Sequence, residues 1–229
     1  MKKALLFFIF AAGVNSSVFL FSDESLLSES WFALGFEYGN LFEGYSEQGN
    51  KVETYTGSLG ITWGGYRFFN EQNIGMFAHS VFSFPIVVSE KTNGVITRSD
   101  FSNYTFNFHV GMVLGLGFRY DINERLKLRY AVGLDFLMIS SIYTGYIPDY
   151  GDVKYGVAIY NLGIGGDVGI KFDINKTVFL TVGSLFTFDF ARLKYMNTSF
   201  SGRSLGWVDK FYLFGIRPYI AVGLNIIWR

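Results

Sequence analysis

From Tyr104 to Tyr120 the chain alternates without a break. The even positions are Tyr104, Phe106, Phe108, Val110, Met112, Leu114, Leu116, Phe118 and Tyr120, all large and apolar or aromatic. Between them stand Thr105, Asn107, His109, Gly111, Val113, Gly115, Gly117 and Arg119, which apart from Val113 are small or polar. A period of two predicts a strand with two different faces. After Asp121 to Glu124 the pattern resumes, with Leu126, Leu128, Tyr130, Val132, Leu134, Phe136 and Met138 set against Lys127, Arg129, Ala131, Gly133 and Asp135.

The continuous face is the apolar one. In a soluble sandwich the polar face would meet water and could carry Lys, Glu and Thr with no need for Gly. Here it alternates Gly with single charges, as crowding would require. A membrane barrel explains both habits, because its apolar face meets lipid and its other face points into a narrow lumen. Length points the same way. Runs of about 15 residues exceed the roughly 3 to 10 of soluble strands, whereas a tilted membrane strand needs about 9 to 11 residues in lipid and extends beyond it.

Counting by this alternation predicts eight strands, near residues 32–39, 54–63, 74–88, 104–120, 126–138, 158–172, 178–190 and 212–228. Short turns at Phe69 to Asn73, Asp121 to Glu124 and Asp173 to Lys176 follow even-numbered strands. Longer connections near Phe42 to Glu53, Ser89 to Ser102, Ile142 to Lys154 and Leu193 to Lys210 follow odd-numbered ones. The fold class is therefore all-β: an eight-stranded antiparallel up-and-down transmembrane β-barrel with both termini on the periplasmic side. The longer connections put residues 44–50, 93–100, 146–152 and 197–207 outside the cell, where an extracellular ligand would meet them.

Composition adds export and removes several chemistries. Met1-Lys2-Lys3 before ALLFFIFAAGV has the basic and short apolar regions of a secretory signal, so residues 1–22 read as a signal peptide cleaved between 13 and 22, and 23–229 as the barrel. Asn15, Ser16 and Ser17 interrupt what would otherwise approach a membrane-spanning helix. Cys is absent, which excludes disulfides, thiolate metal sites, a catalytic Cys and an N-terminal lipid anchor. Lys+Arg and Asp+Glu balance at 19 each, which gives no reason to expect nucleic acid as a partner.

With these features the chain resembles the small eight-stranded outer-membrane barrels of diderm bacteria, the class that includes the OmpA transmembrane domain and OmpW. The most local element of the resemblance is the last strand. There Gly223, Ile226 and Trp228 take places of the signal that the barrel-assembly machinery reads, while Ala221 stands at its polar position and Arg229 follows the aromatic. The resemblance implies residence in the outer membrane, with lipid and the assembly machinery as partners. The OmpW likeness implies one alternative, passage of small hydrophobic molecules. A secreted lipocalin-like binder would need its larger residues on the inner face.

Eight strands leave a lumen that side chains fill, so the inward charges are the candidate site. By parity Glu37, Asp135, Asp167 and Asp189 face Arg119, Lys127, Arg129, Lys171 and Arg217, near balance of sign. This predicts a charge-paired plug, with a narrow conduit gated by switching pairs as the alternative. Asn107, Asn161 and both His residues, His79 and His109, share that parity and read as lumen polar groups rather than metal ligands. Some barrels of the class are lipid-modifying enzymes with Ser and His facing lipid; neither His does so here, and no activity, metal or cofactor is expected. GIGGDVG at 163–169 lacks the last Gly of a dinucleotide loop and the helix after it, so its Gly residues are expected to make room in the lumen. Trp31, Phe68, Tyr120, Phe172 and Trp228 are expected in a periplasmic aromatic belt, and Tyr38, Tyr55, Tyr104, Phe188 and Tyr212 in an outer one. Cell fractionation tests the whole reading: the mature chain should need detergent for extraction from the outer membrane, and recovery from the soluble periplasm would sink it.

Overall fold

The alternating stretches form strands, and ten are present in the computed structural model: β1 (Leu27–Glu47), β2 (Asn50–Phe69), β3 (Ile74–Thr92), β4 (Val95–Arg98), β5 (Tyr104–Asp121), β6 (Leu126–Ile147), β7 (Gly151–Asp173), β8 (Val178–Thr198), β9 (Gly202–Trp207) and β10 (Tyr212–Ile227). The structure describes residues 27–47, 50–69, 73–98, 104–147, 151–198, 202–208 and 211–227. The predicted signal peptide, Trp228 and Arg229 lie outside them. β4 and β9 pair only with the outer ends of β3 and β8, so eight long strands make the wall. Each is antiparallel to its neighbours, and β10 pairs with both β8 and β1, which closes the barrel; the ladder between β3 and β5 runs from Ile74 and Phe118 to Ser83 and His109, and beyond it toward the outer rim these two strands are not paired with each other.

The side-chain distribution is inverted relative to a soluble protein. Phe36 is 71% exposed while Glu37 beside it is 3% exposed, and Leu134 is 55% exposed beside fully buried Asp135. Only a lipid surround makes that arrangement favourable, because water would meet a continuous apolar wall and none of the charges. The register carries the outer face around the wall: Phe36 pairs with Ile61, Ile61 with Phe82, Phe82 with Val110, Val110 with Met138 and Met138 with Tyr160. On this side Phe108, Val110 and Met138 cluster, with Phe82 and Tyr160 packed against them.

The two periplasmic turns with nearly repeated sequence, DINE and DINK, have one geometry. Asn123 Oδ1 accepts from the backbone N–H groups of Arg125 and Leu126 at 2.9 and 2.8 Å, and Asn175 Oδ1 accepts from those of Thr177 and Val178 at 2.8 Å each. Ile122 and Asn123 then donate to the Leu126 carbonyl, as Ile174 and Asn175 do to that of Val178. The Asn side chain thus satisfies two amides that the turn leaves without strand partners.

At the opposite rim the expected long loops are largely ladder. β1 and β2 stay paired to Glu47 and Asn50, and β6 and β7 to Ile147 and Gly151, so the connections expected at 42–53 and 142–154 are mostly strand. Pairing above the membrane satisfies backbone groups whatever the side chains, which polarity alone does not reveal. Within the connection expected at 89–102, Asn93 (φ 51°) and Gly94 (φ 83°) form the two-residue hairpin turn between β3 and β4, for which Asn-Gly is suited. Asn93 also fastens the turn to the neighbouring hairpin, accepting from Lys51 N–H at 2.9 Å.

Two bulges change the faces near that rim. Gly57 pairs with Val87 but Ser58 with Pro85, so Ile86 is the extra residue; Leu162 pairs with Ala191 but Gly163 with Asp189, so Phe190 is. Beyond each bulge the parity reverses, and Val88 and Arg192 turn inward. The paired turns allow a matched test: Asn123→Ala and Asn175→Ala should each lower the unfolding free energy in lipid vesicles by about 0.5–1.5 kcal/mol per lost hydrogen bond. Unequal effects in urea titration would contradict the shared geometry.

Candidate functional site in the barrel lumen

The lumen is filled in layers, and the central one is built around Asp167. This carboxylate, on β7 and fully buried, accepts from Tyr66 Oη on β2 at 2.7 Å and from Tyr219 Oη on β10 at 2.5 Å. Arg129 on β6 donates to the Tyr219 hydroxyl and holds Nε 3.7 Å from Asp167 Oδ1. Its guanidinium also lies over both rings, 5.3 Å from that of Tyr66 and 5.4 Å from that of Tyr219. His79 on β3 places Nδ1 3.9 Å from Asp167 Oδ2, and its Nε2 is hydrogen-bonded to Thr62 Oγ1. Thr62 in turn donates to the Ser80 carbonyl at 3.1 Å. Five strands therefore converge on one carboxylate, and charge, hydrogen bonds and ring faces share the compensation of a buried ion pair.

Room for this layer comes from Gly on β7 and β8. A Cβ at Gly169 would stand 3.1 Å from Arg129 Nε, and one at Gly183 would stand 2.7 Å from Tyr219 Oη. Within GIGGDVG, Gly163 likewise faces the Asp189 carboxylate and Gly165 the Val113 side chain. The run is a set of gaps for lumen groups around Asp167.

Toward the periplasm the plug is aromatic and cationic. Trp31, Tyr66, Phe68 and Phe179 pack together, with ring centroids 4.6 Å apart for Trp31 and Phe68. Fully buried Lys171 is ion-paired with Asp173 and lies 4.4 Å from the Trp31 ring centroid and 4.7 Å from that of Phe179. Lys127 approaches the same Asp173 at 3.8 Å, and Asn225 donates to it at 2.9 Å. Arg119, at the rim, donates from Nε to Asn73 at 3.0 Å and covers the Phe68 ring at 4.8 Å. Trp31 and Phe68 are thus not belt residues: both are fully buried in the lumen, where their faces solvate the cations that enter it. Tyr120 and Phe172 do lie on the outer wall at this end, as Tyr38, Phe188 and Tyr212 do at the other.

Above the central layer the pairing is looser. Glu37, Asp135, Asp189 and Arg217 are all buried, and the charge of Arg217 acts on the three carboxyls. Asp135 and Asp189 lie within hydrogen-bond reach of each other, while neither oxygen of Glu37 nor Arg217 Nη1 has a hydrogen-bond partner among the described residues. The outermost layer is tight again. Arg192 binds Glu43 through both terminal nitrogens, one contact measuring 3.0 Å, donates from Nε to Asn161 at 2.8 Å and lies 3.8 Å from the Phe211 ring centroid. Asn107 and His109 also line the outer mouth.

All nine charges selected by parity point inward, but they do not form one network. Asp167 and Arg129 make the centre; Lys171 and Lys127 join Asp173; Glu37, Asp135, Asp189 and Arg217 form the loose layer; Arg119 stands apart at the periplasmic rim. Tyr66 and Tyr219 were open to the same parity argument, since Tyr219 alternates with Ile220 as Arg217 does with Ile216. Arg192 was not, because the bulge at Phe190 reverses its face. In the last strand Gly223 faces inward against the Phe179 ring, whereas Ile226 faces outward.

Cavities among the described residues lie at both ends of the lumen and beside its centre. A mouth of about 440 Å³ opens outward and one of about 420 Å³ lies among the periplasmic turns. Beside the Asp167 layer, bounded by Thr62, Tyr66, His79, Arg129 and Tyr219, only about 20 Å³ remains. That is room for about one water molecule.

No family model matches the chain, and no curated protein matches it in sequence. Solved structures do match in shape. The outer membrane protein OprG from Pseudomonas aeruginosa superposes with a TM-score of 0.55 at 11% identity, covering 89% of this chain and 98% of OprG. The outer membrane protease OmpT from Escherichia coli gives 0.51 at 8% identity over 88% and 97%. The outer membrane protein AlkL, solved in lipid bilayers, gives 0.50 at 11% identity over 88% and 91%. At such identities the likeness is one of fold: the chain is an eight-stranded antiparallel barrel of the outer-membrane kind. A protease among these neighbours means that this fold does not by itself decide between catalysis and its absence.

The central layer can be tested by its partners. Asp167→Leu should cost about 3–5 kcal/mol, since Arg129 is left buried without its carboxylate, whereas Arg129→Met combined with Asp167→Leu should recover most of that. Urea unfolding of the single and double variants in lipid vesicles measures both; a double variant no more stable than the single one would remove Asp167 from its central role.

Proposed function

We propose that the chain is a non-catalytic protein of the bacterial outer membrane that is closed to passage and acts as a structural or surface-interacting barrel. One observation carries this reading: between two mouths of several hundred Å³ the side chains of the Asp167 layer fill the lumen from five strands, and the cavity beside them holds only about 20 Å³. The groups that close it are spent on each other. Asp167 has two phenol donors and Arg129 beside it, and His79 is held by Thr62, so in this layer neither the carboxylate nor the imidazole is left to act on a substrate. The proposed partners are lipid along the apolar wall, the assembly machinery at the last strand, and a ligand at the paired extensions above the membrane.

Planar-bilayer recording tests the closure. The parent should show no steady conductance, and Arg129→Ala combined with Tyr219→Ala, which removes a guanidinium and a phenol from the constriction, should give resolvable steps. Steady conductance by the parent would make the lumen a channel and end this reading.

A further inference from the structure

The outer mouth has more organisation than a closed barrel requires. Its volume of about 440 Å³ falls within the roughly 300–1,000 Å³ of small-molecule sites. Its walls differ in emphasis: β2 and β5 contribute Thr54, Thr56, Asn107 and His109, while β6, β7 and β8 contribute Ile139, Ile159 and Met196 beside Ser141 and Lys194. At the floor, Asn107 Oδ1 and His109 Nδ1 end without a hydrogen-bond partner, although His109 is only 2% exposed. Orphaned polar groups of this kind cost free energy in the empty barrel and are compensated when a ligand supplies the missing bonds.

The charges narrow the class of ligand. Glu43 and Arg192 neutralise each other at the base through two contacts, and Asn161 takes the remaining Arg192 Nε–H. The rest of the lining carries one further charge of each sign, Glu90 and Lys194. A ligand with net charge would gain no uncompensated partner here and would lose its hydration. A sugar ring has the complementary form, with hydroxyls along its edge for the Thr and Asn wall and a C–H face for the aliphatic one. We infer that the outer mouth binds a neutral, hydroxyl-rich small molecule of saccharide type.

The inference rests on the closed-lumen reading only for its floor, and the two fail separately: conductance by the parent overturns that reading, absence of binding overturns this one. The Met methyl groups provide the test. Met196 lines the mouth, whereas Met76, Met112 and Met138 are carried on the wall of β3, β5 and β6 outside it. The intact barrel, carrying ¹³C-methyl Met in a detergent without a sugar headgroup, is titrated with maltose and, separately, with glycine and inorganic phosphate. Maltose should shift the Met196 resonance saturably in the millimolar range and leave the other three in place. Asn107→Leu should weaken that response about tenfold, and Val157→Trp, which fills the mouth, should abolish it while the wall Met resonances keep their positions. An unmoved Met196, an undiminished response in Asn107→Leu, or an equal response to glycine or phosphate would each overturn the assignment.

Discussion

The interaction on which the rest of the barrel depends is the compensation of Asp167. A barrel whose outside is apolar must bring its polar groups inside, and a narrow interior has little water to satisfy them. Asp167 resolves this by drawing donors from the two strands that flank β1, Tyr66 from β2 and Tyr219 from β10, with Arg129 from β6 placed against both. These residues are far apart in sequence, so the layer ties together strands that are not all neighbours. Because each partner of a buried ion pair is costly to leave alone, the layer also resists the rearrangement that an open passage would require.

The layers on either side use different means toward the same end. Near the periplasm, cations are held against ring faces as well as carboxylates: Lys171 has Asp173 on one side and Trp31 and Phe179 on the other. Toward the outside, the charge of Arg217 acts on Glu37, Asp135 and Asp189, and Glu37 is left without a hydrogen-bond partner. Arg192, Glu43 and Asn161 then restore a tight layer that forms the base of the outer mouth. Two tightly bonded layers, at Asp167 and at Arg192, are thereby separated along the axis.

Gly and bulges make this arrangement possible without disturbing the wall. Gly169 and Gly183 give up side chains so that Arg129 and Tyr219 can reach the centre, and the ladder around them stays paired. The bulges at Ile86 and Phe190 act in the opposite sense, since they leave the composition alone and change direction. One extra residue on β8 is what delivers Arg192 to Glu43 on β1, two strands along the wall.

The strand periodicity, the inverted faces and the repeated DIN turns were legible in the residues themselves, because alternation at a period of two depends only on the backbone of a single strand. The inward direction of Glu37, Asp135, Asp167, Lys171 and Arg217 followed for the same reason. What a strand cannot state alone is its register with the others. Whether Asp167 meets Arg129 and Tyr219 or Arg217, whether Trp31 reaches lipid or Lys171, and how far the ladders run above the membrane were all decided by closure of the sheet. The bulge at Phe190 shows the limit most plainly: a single residue left out of the pairing reverses every face beyond it, and only the partner strand determines which residue that is.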